Sequence, residues 1–262
     1  MTSGKRLKIN RRKLLAGSAA AIMSLPAVVR AQGGPLKVGV LLPRSGLQAL
    51  IGRDCQRGVE LAPPILKDLG LPGLASMNAD TESNVDTARA RAEKLISDGA
   101  QLLIGAFDSG HTTAIAQVAE QKGIPLVINI AASPAITEQG YKFVFRNFPT
   151  APMILNDAFV NQREVFATAG AAPKTVALMH VNDTFGSAMA KGIGSIMPKY
   201  NMPYTIIEAI AYDPAAHDLS VELAKVKATG AEALMVVSRA NDAILLTREM
   251  VKQRWLERER LF

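Results

Sequence analysis

Ser109 stands with Asp108 before it and Ala131, Ala132 and Ser133 after it in the stretch 102–137, the part of the chain best suited to hold a small molecule. The apolar run 102–104 ends at Gly105, and Asp108-Ser109 offers a helix N-cap. Ala114, Ile115, Val118 and Ala119 then form an apolar stripe at helical spacing. Gly123 sits where a helix C-cap glycine belongs, Pro125 follows, and 126–128 is a second apolar run. The order strand, turn, helix, strand, turn predicts a parallel pair, so the loops after both strands open on one sheet edge. There the Ser109 hydroxyl and the free N–H groups of the helix start would receive a carboxylate or another anion. The small residues Ala131, Ala132 and Ser133 would let backbone groups touch a ligand. The plainer alternative for an isolated unit of this kind is that Asp108 and Ser109 only cap and the alanines only pack.

Other chemistry finds little support. The first strand is followed by Pro43-Arg44-Ser45-Gly46 and not by GxGxxG, and no GxxxxGK[ST] occurs. The histidines are His111, His180 and His217; none has HExxH spacing or adjoins a GxSxG elbow. No ligand cluster suggests a metal, and no cofactor is expected. Cys55 is the lone cysteine and reads as a half-buried small hydrophobe.

The formal charge of +7 over 262 residues is concentrated at the start. Residues 1–31 carry Lys5, Arg6, Lys8, Arg11, Arg12, Lys13 and Arg30 and no acid. Without them 23 basic and 23 acidic residues remain, which removes the electrostatic basis for nucleic-acid or anionic-membrane binding. A basic stretch, a moderately apolar segment 14–29 and Val29-Arg30-Ala31 fit a cleavable signal peptide over 1–31. Arg11-Arg12 with Lys13-Leu14-Leu15 resembles a twin-arginine signal, implying the twin-arginine export machinery as a partner and a periplasmic destination.

Strands are predicted at 36–42, 75–79, 102–104, 126–128, 143–145, 175–179, 204–209 and 233–237. Helical patterns alternate with them, the last over 243–254 with Asp242 opening it. The alternation marks an α/β protein. Pro63-Pro64 disturbs the first helical pattern, at 57–69. The segment 146–152, with two prolines and no apolar periodicity, reads as a crossing between lobes, giving an N-terminal lobe over 34–147 and a C-terminal lobe over 148–262.

These residues, in this order, resemble the periplasmic substrate-binding proteins of branched-chain amino acid ABC transporters, which have the type I fold of two Rossmann-like lobes with parallel sheets. The resemblance runs over about 36–254. It rests on Pro43 to Gly46, Gly58, Leu61-Ala62, Asp80, Leu103-Ile104-Gly105 with Ser109, Ala131 to Pro134, Ile136-Thr137, Gly140-Tyr141, Phe145-Arg146, Asn182-Asp183 with Phe185-Gly186, and Tyr212-Asp213-Pro214. It implies a binding protein and not an enzyme. The ligand would be an amino acid, branched-chain or a related small amide or carboxylate, buried by hinge closure and delivered to a membrane permease. By position, Ser109 would bind the ligand carboxylate, Ala131 and Ala132 would give backbone contacts, and Ser133 would assist. Phe185 matches a position that is often tyrosine. The acceptor for the ligand amine would fall at Asp242 or be replaced by Asn241. The segment 47–52, apolar except for Gln48, would line the side-chain pocket. Family members continue further and cross between lobes three times, so the second lobe is expected to be incomplete. A ligand-sensing domain of the same fold, an exported α/β enzyme and a non-functional truncated copy are the alternatives.

Overall fold

The computed structural model describes residues 34–255. The leader and the twin-arginine pair lie outside the described residues. The chain alternates β1 (Leu36–Leu42), α1 (Ala49–Asp68), β2 (Leu74–Asp80), α2 (Val85–Ser97), β3 (Leu102–Gly105), α3 (Ser109–Lys122), β4 (Leu126–Ile128) and β5 (Val144–Arg146). It continues as α4 (Ala151–Ala169), β6 (Thr175–Val181), α5 (Thr184–Ile196), β7 (Thr205–Tyr212), α6 (Ser220–Ala228), β8 (Ala233–Val237) and α7 (Ala240–Lys252). The strands form two parallel sheets, one in the order β2-β1-β3-β4-β5 and one in the order β7-β6-β8. The α/β architecture read from the sequence is therefore present, with three strands in the second sheet among the described residues.

Strand alternation sends side chains to opposite faces of each sheet. In the first sheet Leu41, Leu103, Leu126 and Ile128 pack with Ala88 and Ala92 of α2 and Ile115 and Ala119 of α3. Alanines at these helix positions let α2 and α3 lie close to the sheet. Fully burying a leucine or isoleucine there contributes about 1.5–3 kcal/mol. Val38, Val40 and Leu42 point the other way and meet Cys55 and Val59 of α1. In the second sheet Leu178 and Val237 pack with α4 and α5, while Ala177, Met179 and Val181 pack with α6 and α7.

Two local expectations, at α1 and α7, need correction. α1 runs unbroken for 20 residues through Pro63 and Pro64. The prolines deprive the carbonyls at Val59 and Glu60 of their helical donors. Glu60 is exposed, as are Leu61 and Ile65, so water can serve this turn and no tight packing forces a kink. β2, weak by propensity, forms because all seven of its residues pair with β1. α7 starts at Ala240 and not after Asp242.

Gly186 and Gly194 of α5 have opposite surroundings. A Cβ on Gly186 would stand 1.8 Å from the Val181 carbonyl oxygen, whereas one on Gly194 would meet nothing within 4 Å. Gly186→Ala is therefore expected to destabilise the protein by about 1–3 kcal/mol. Gly194→Ala should stabilise it by roughly 0.5–1 kcal/mol, since alanine loses less chain entropy in a helix. Urea unfolding of both variants measures the two signs.

Candidate functional site

In each sheet the strand order reverses beside the first strand laid down, between β1 and β3 and between β6 and β8. The crevice beyond the carboxyl ends of the strands at such a point is the usual ligand position in open parallel sheets. The residues placed there are Gln48 and Asp108 in the first sheet and Asp183 and Arg239 in the second. All four meet.

Asp108 caps α3. Its Oδ1 accepts from the N–H groups of Gly110 at 2.7 Å and His111 at 3.3 Å. Two of the helix-start donors, the N–H groups of Gly110 and His111, are thus taken by the protein's own carboxylate. Ser109 follows as the first helical residue and is 1% exposed. Its Oγ accepts from the Ser133 N–H at 3.3 Å, and its own hydroxyl proton stays available.

The loop after β4 is held from within the first lobe. The Arg146 guanidinium donates to the Ala131 carbonyl and, at 2.7 Å, to the Ser133 carbonyl. The Ala132 carbonyl accepts from the Ala151 N–H at 2.8 Å. Ala132 faces the cleft; Ala131 and Ser133 are buried and are not part of its wall.

From the second lobe, Asp183 caps α5 through the Gly186 N–H at 2.8 Å. Arg239 is the N-cap residue of α7, and Asp242 Oδ2 accepts its N–H at 3.2 Å. Arginine has no acceptor to return that bond, so this is half a capping box. The Tyr212 hydroxyl donates to the same Asp242 oxygen at 3.2 Å. Burial, and then the Asp242 charge, push the Tyr212 phenol well above its ordinary range, so it stays a donor. Asn241 Nδ2 reaches across to the Leu47 carbonyl at 2.9 Å.

Arg239 closes the centre. Its Nη2 stands 2.5 Å from Asp108 Oδ2 and 2.6 Å from Asp183 Oδ2, and its guanidinium lies 5.2 Å from the centre of the Phe185 ring. The arginine side chain is 13% exposed and that of Asp108 9%. Gln48 Nε2 also donates to Asp108 Oδ2, at 3.1 Å. His111 Nδ1 is buried 3.7 Å from Asp108 Oδ1 and has no hydrogen-bond partner among the described residues.

Around these groups lies a cleft of about 360 Å³. Leu47, Leu50 and Ile51 wall one side and Phe107, Phe148 and Phe185 supply aromatic surface. The segment 47–52 does line it, as the start of α1 and the turn before it. Of the residues singled out in the sequence, Ser109, Ala132, Phe185, Asn241 and Asp242 share this cleft. Sequence reasoning missed Arg239 and the polar role of Gln48. Their positions just past strand ends at the two reversals were the available signal. No group of three His, Cys, Asp or Glu among the described residues could hold a metal ion, and no described helix is long and apolar enough to cross a membrane.

Known proteins share both this sequence pattern and this fold. The periplasmic binding protein family matches residues 35–254. The chain belongs to that family. Leu/Ile/Val-binding protein homolog 8 of Brucella abortus is 26% identical over 243 residues, 90% of this chain and 60% of the relative. The leucine binding protein LivK of Thermotoga maritima superposes with a TM-score of 0.70 at 20% identity, over 83% of this chain and 60% of that structure. An ABC transporter solute binding protein of R. palustris, solved in complex with benzoate, gives 0.68 at 24% identity, over 84% and 59%. These confirm the resemblance and the two-lobed fold. The chain spans about 60% of the length of the curated relatives it matches.

Burial holds the His111 imidazole below its ordinary value near 6.5. Asp108, the Ser83 carbonyl and Asp183 act to raise it, and Arg239 to lower it. The unfolded chain therefore takes up this proton first as pH falls. The stability is present above about 6.5 and lost as pH drops towards the folded value. His111→Gln should remove that part of the loss. The difference between wild-type and variant unfolding free energies, followed from pH 7.5 to 5 by urea titration, measures it.

Proposed function

We propose that this chain is the ligand-binding part of an ABC importer. It is exported to the periplasm by its twin-arginine-type leader and hands its cargo to a membrane permease. The cargo is an amino acid, branched-chain or a related small amide or carboxylate, and no catalysis or cofactor is involved. The observation that carries this reading is the cleft itself, a largely apolar space whose polar groups come from the reversal points of two separate sheets. A ligand held by both is buried only when the lobes are together, so binding and closure are one event.

In this reading Ser109 donates its hydroxyl to the ligand, and Ala132 lets the first lobe approach closely. Phe185 covers the ligand from the second lobe, with Asn241 and Asp242 beside it. Ala131 and Ser133 act by shaping the loop that Arg146 grips. The leucine-binding name of the Thermotoga neighbour and the benzoate in the R. palustris neighbour both suit a cleft that pairs apolar walls with a few polar groups.

Thermal unfolding with a panel of amino acids, their amides and small carboxylates tests the proposal. A ligand at about a hundred times its Kd should add about 2.7 kcal/mol, raising Tm by roughly 5–10 °C. Ser109→Ala should reduce the rise for the same ligand. A transition that no compound moves would turn attention to the enzyme and sensor alternatives.

A further inference from the structure

His111 lies where the two lobes meet and does not line the cleft. Its side chain is 5% exposed. Nδ1 is buried 3.7 Å from Asp108 Oδ1 and has no hydrogen-bond partner among the described residues. A buried ring nitrogen left without a partner is costly. The turn that carries the ring is covered by the second lobe. A Cβ on Gly110 would stand 3.5 Å from the Thr184 hydroxyl oxygen, so the first turns of α3 and α5 touch. Arg239 of α7 reaches Asp108 at the same place.

Burial is the strongest influence on the ring and opposes its charge. Four groups then act on it, and they divide by lobe. Asp108, the cap of its own helix, and the Ser83 carbonyl, in the turn before α2, favour the charged ring. Both belong to the first lobe and stay beside His111 whatever the second lobe does. Arg239 from α7 and Asp183 from the start of α5 belong to the second lobe; they act in opposite directions, and the arginine outweighs the aspartate. Parting the lobes removes the arginine and opens the covered turn to water, while Asp108 remains. A charged imidazole carries hydrogen on both nitrogens, so an N–H at Nδ1 then faces Asp108 Oδ1.

We propose that His111 makes closure of the two lobes proton-linked, the closed form keeping the imidazole neutral and the open form taking up a proton beside Asp108. The ring charges at a lower pH in the closed form than in the open one. The preference for closure is therefore full above the open-form value and is lost as pH falls towards the closed-form value. The inter-lobe bridge gives the proton its leverage. A charged His111 draws on Asp108 and repels the Arg239 head that Asp108 holds from the other lobe. Resting on the reading in the preceding section, the same proton weakens the hold on a ligand that His111 never touches.

Small-angle scattering of the full chain without ligand tests this at pH 7.5 and pH 5.5, a range in which histidine titrates and ordinary carboxylates do not. Far-UV circular dichroism is recorded on the same samples. The radius of gyration should rise at pH 5.5 with the helical signal unchanged, and His111→Gln should keep its pH 7.5 radius at both. In the wild type the midpoint of the expansion should coincide with the titration of an imidazole proton signal in NMR, a check that needs no variant. A constant wild-type radius, a rise that comes with loss of helical signal, or an equal rise in His111→Gln would overturn the proton link. Calorimetric titration with leucine and with 4-hydroxybenzoate extends the test to binding. The one that binds should be held about threefold or more weaker at pH 5.5 by the wild type, and equally at both values by His111→Gln. Equal wild-type affinity at the two values would also overturn the link. Failure of both compounds to bind would count against the importer reading, and scattering alone would then decide the link.

Discussion

The pairing of Arg239 with Asp108 and Asp183 is the contact on which this arrangement depends. One guanidinium nitrogen holds a carboxylate from each lobe. Removing the arginine would leave two shielded carboxylates without their cation, a change that costs several kcal/mol where both partners are withdrawn from water. The pair also sets geometry. Asp108 is fixed by the backbone of α3 and Asp183 by that of α5, so two helices define where the arginine head can stand. Asn241, two residues on, adds a second bond across the cleft.

The two faces of the first sheet are built differently. Towards α2 and α3 the core is continuous and alanine-lined, which holds the helix start at Asp108 steady. Towards α1 the core is three strand residues with Cys55 and Val59 against them. The rigid face carries the charged group and the lighter face carries Leu47, Leu50 and Ile51 of the apolar wall. Precision is needed for the ion pair, whereas an apolar wall tolerates adjustment because dispersion contacts have no strict direction.

The alternating architecture was legible because apolar runs and capping residues agree at almost every element, as at 102–128, where Asp108 and Gly123 bracket α3 as expected. The family was legible from the order of loop residues after the strands. Ser109, Ala132 and Phe185 could be placed because they lie one or two residues from those loops. Arg239 could not, since an arginine after a strand is usually a solvated side chain. Only the meeting of two sheets shows that Asp108 and Asp183 wait for it. The start of α7 was misread for a related reason: Asp242 looked like a cap, but it accepts from the cap residue three positions earlier. A capping carboxylate at the third helical position and one at the cap look alike in sequence.

The aspartates at the starts of α3 and α5 have one more effect. Uncapped helix ends facing a cleft attract any small anion, because bare N–H groups and the helix dipole do not discriminate. At α3 and α5 part of that attraction is spent internally, on the N–H groups of Gly110, His111 and Gly186. In a medium rich in chloride and phosphate, helix ends masked in this way give a small anion less to hold, and the apolar walls of the cleft give it nothing.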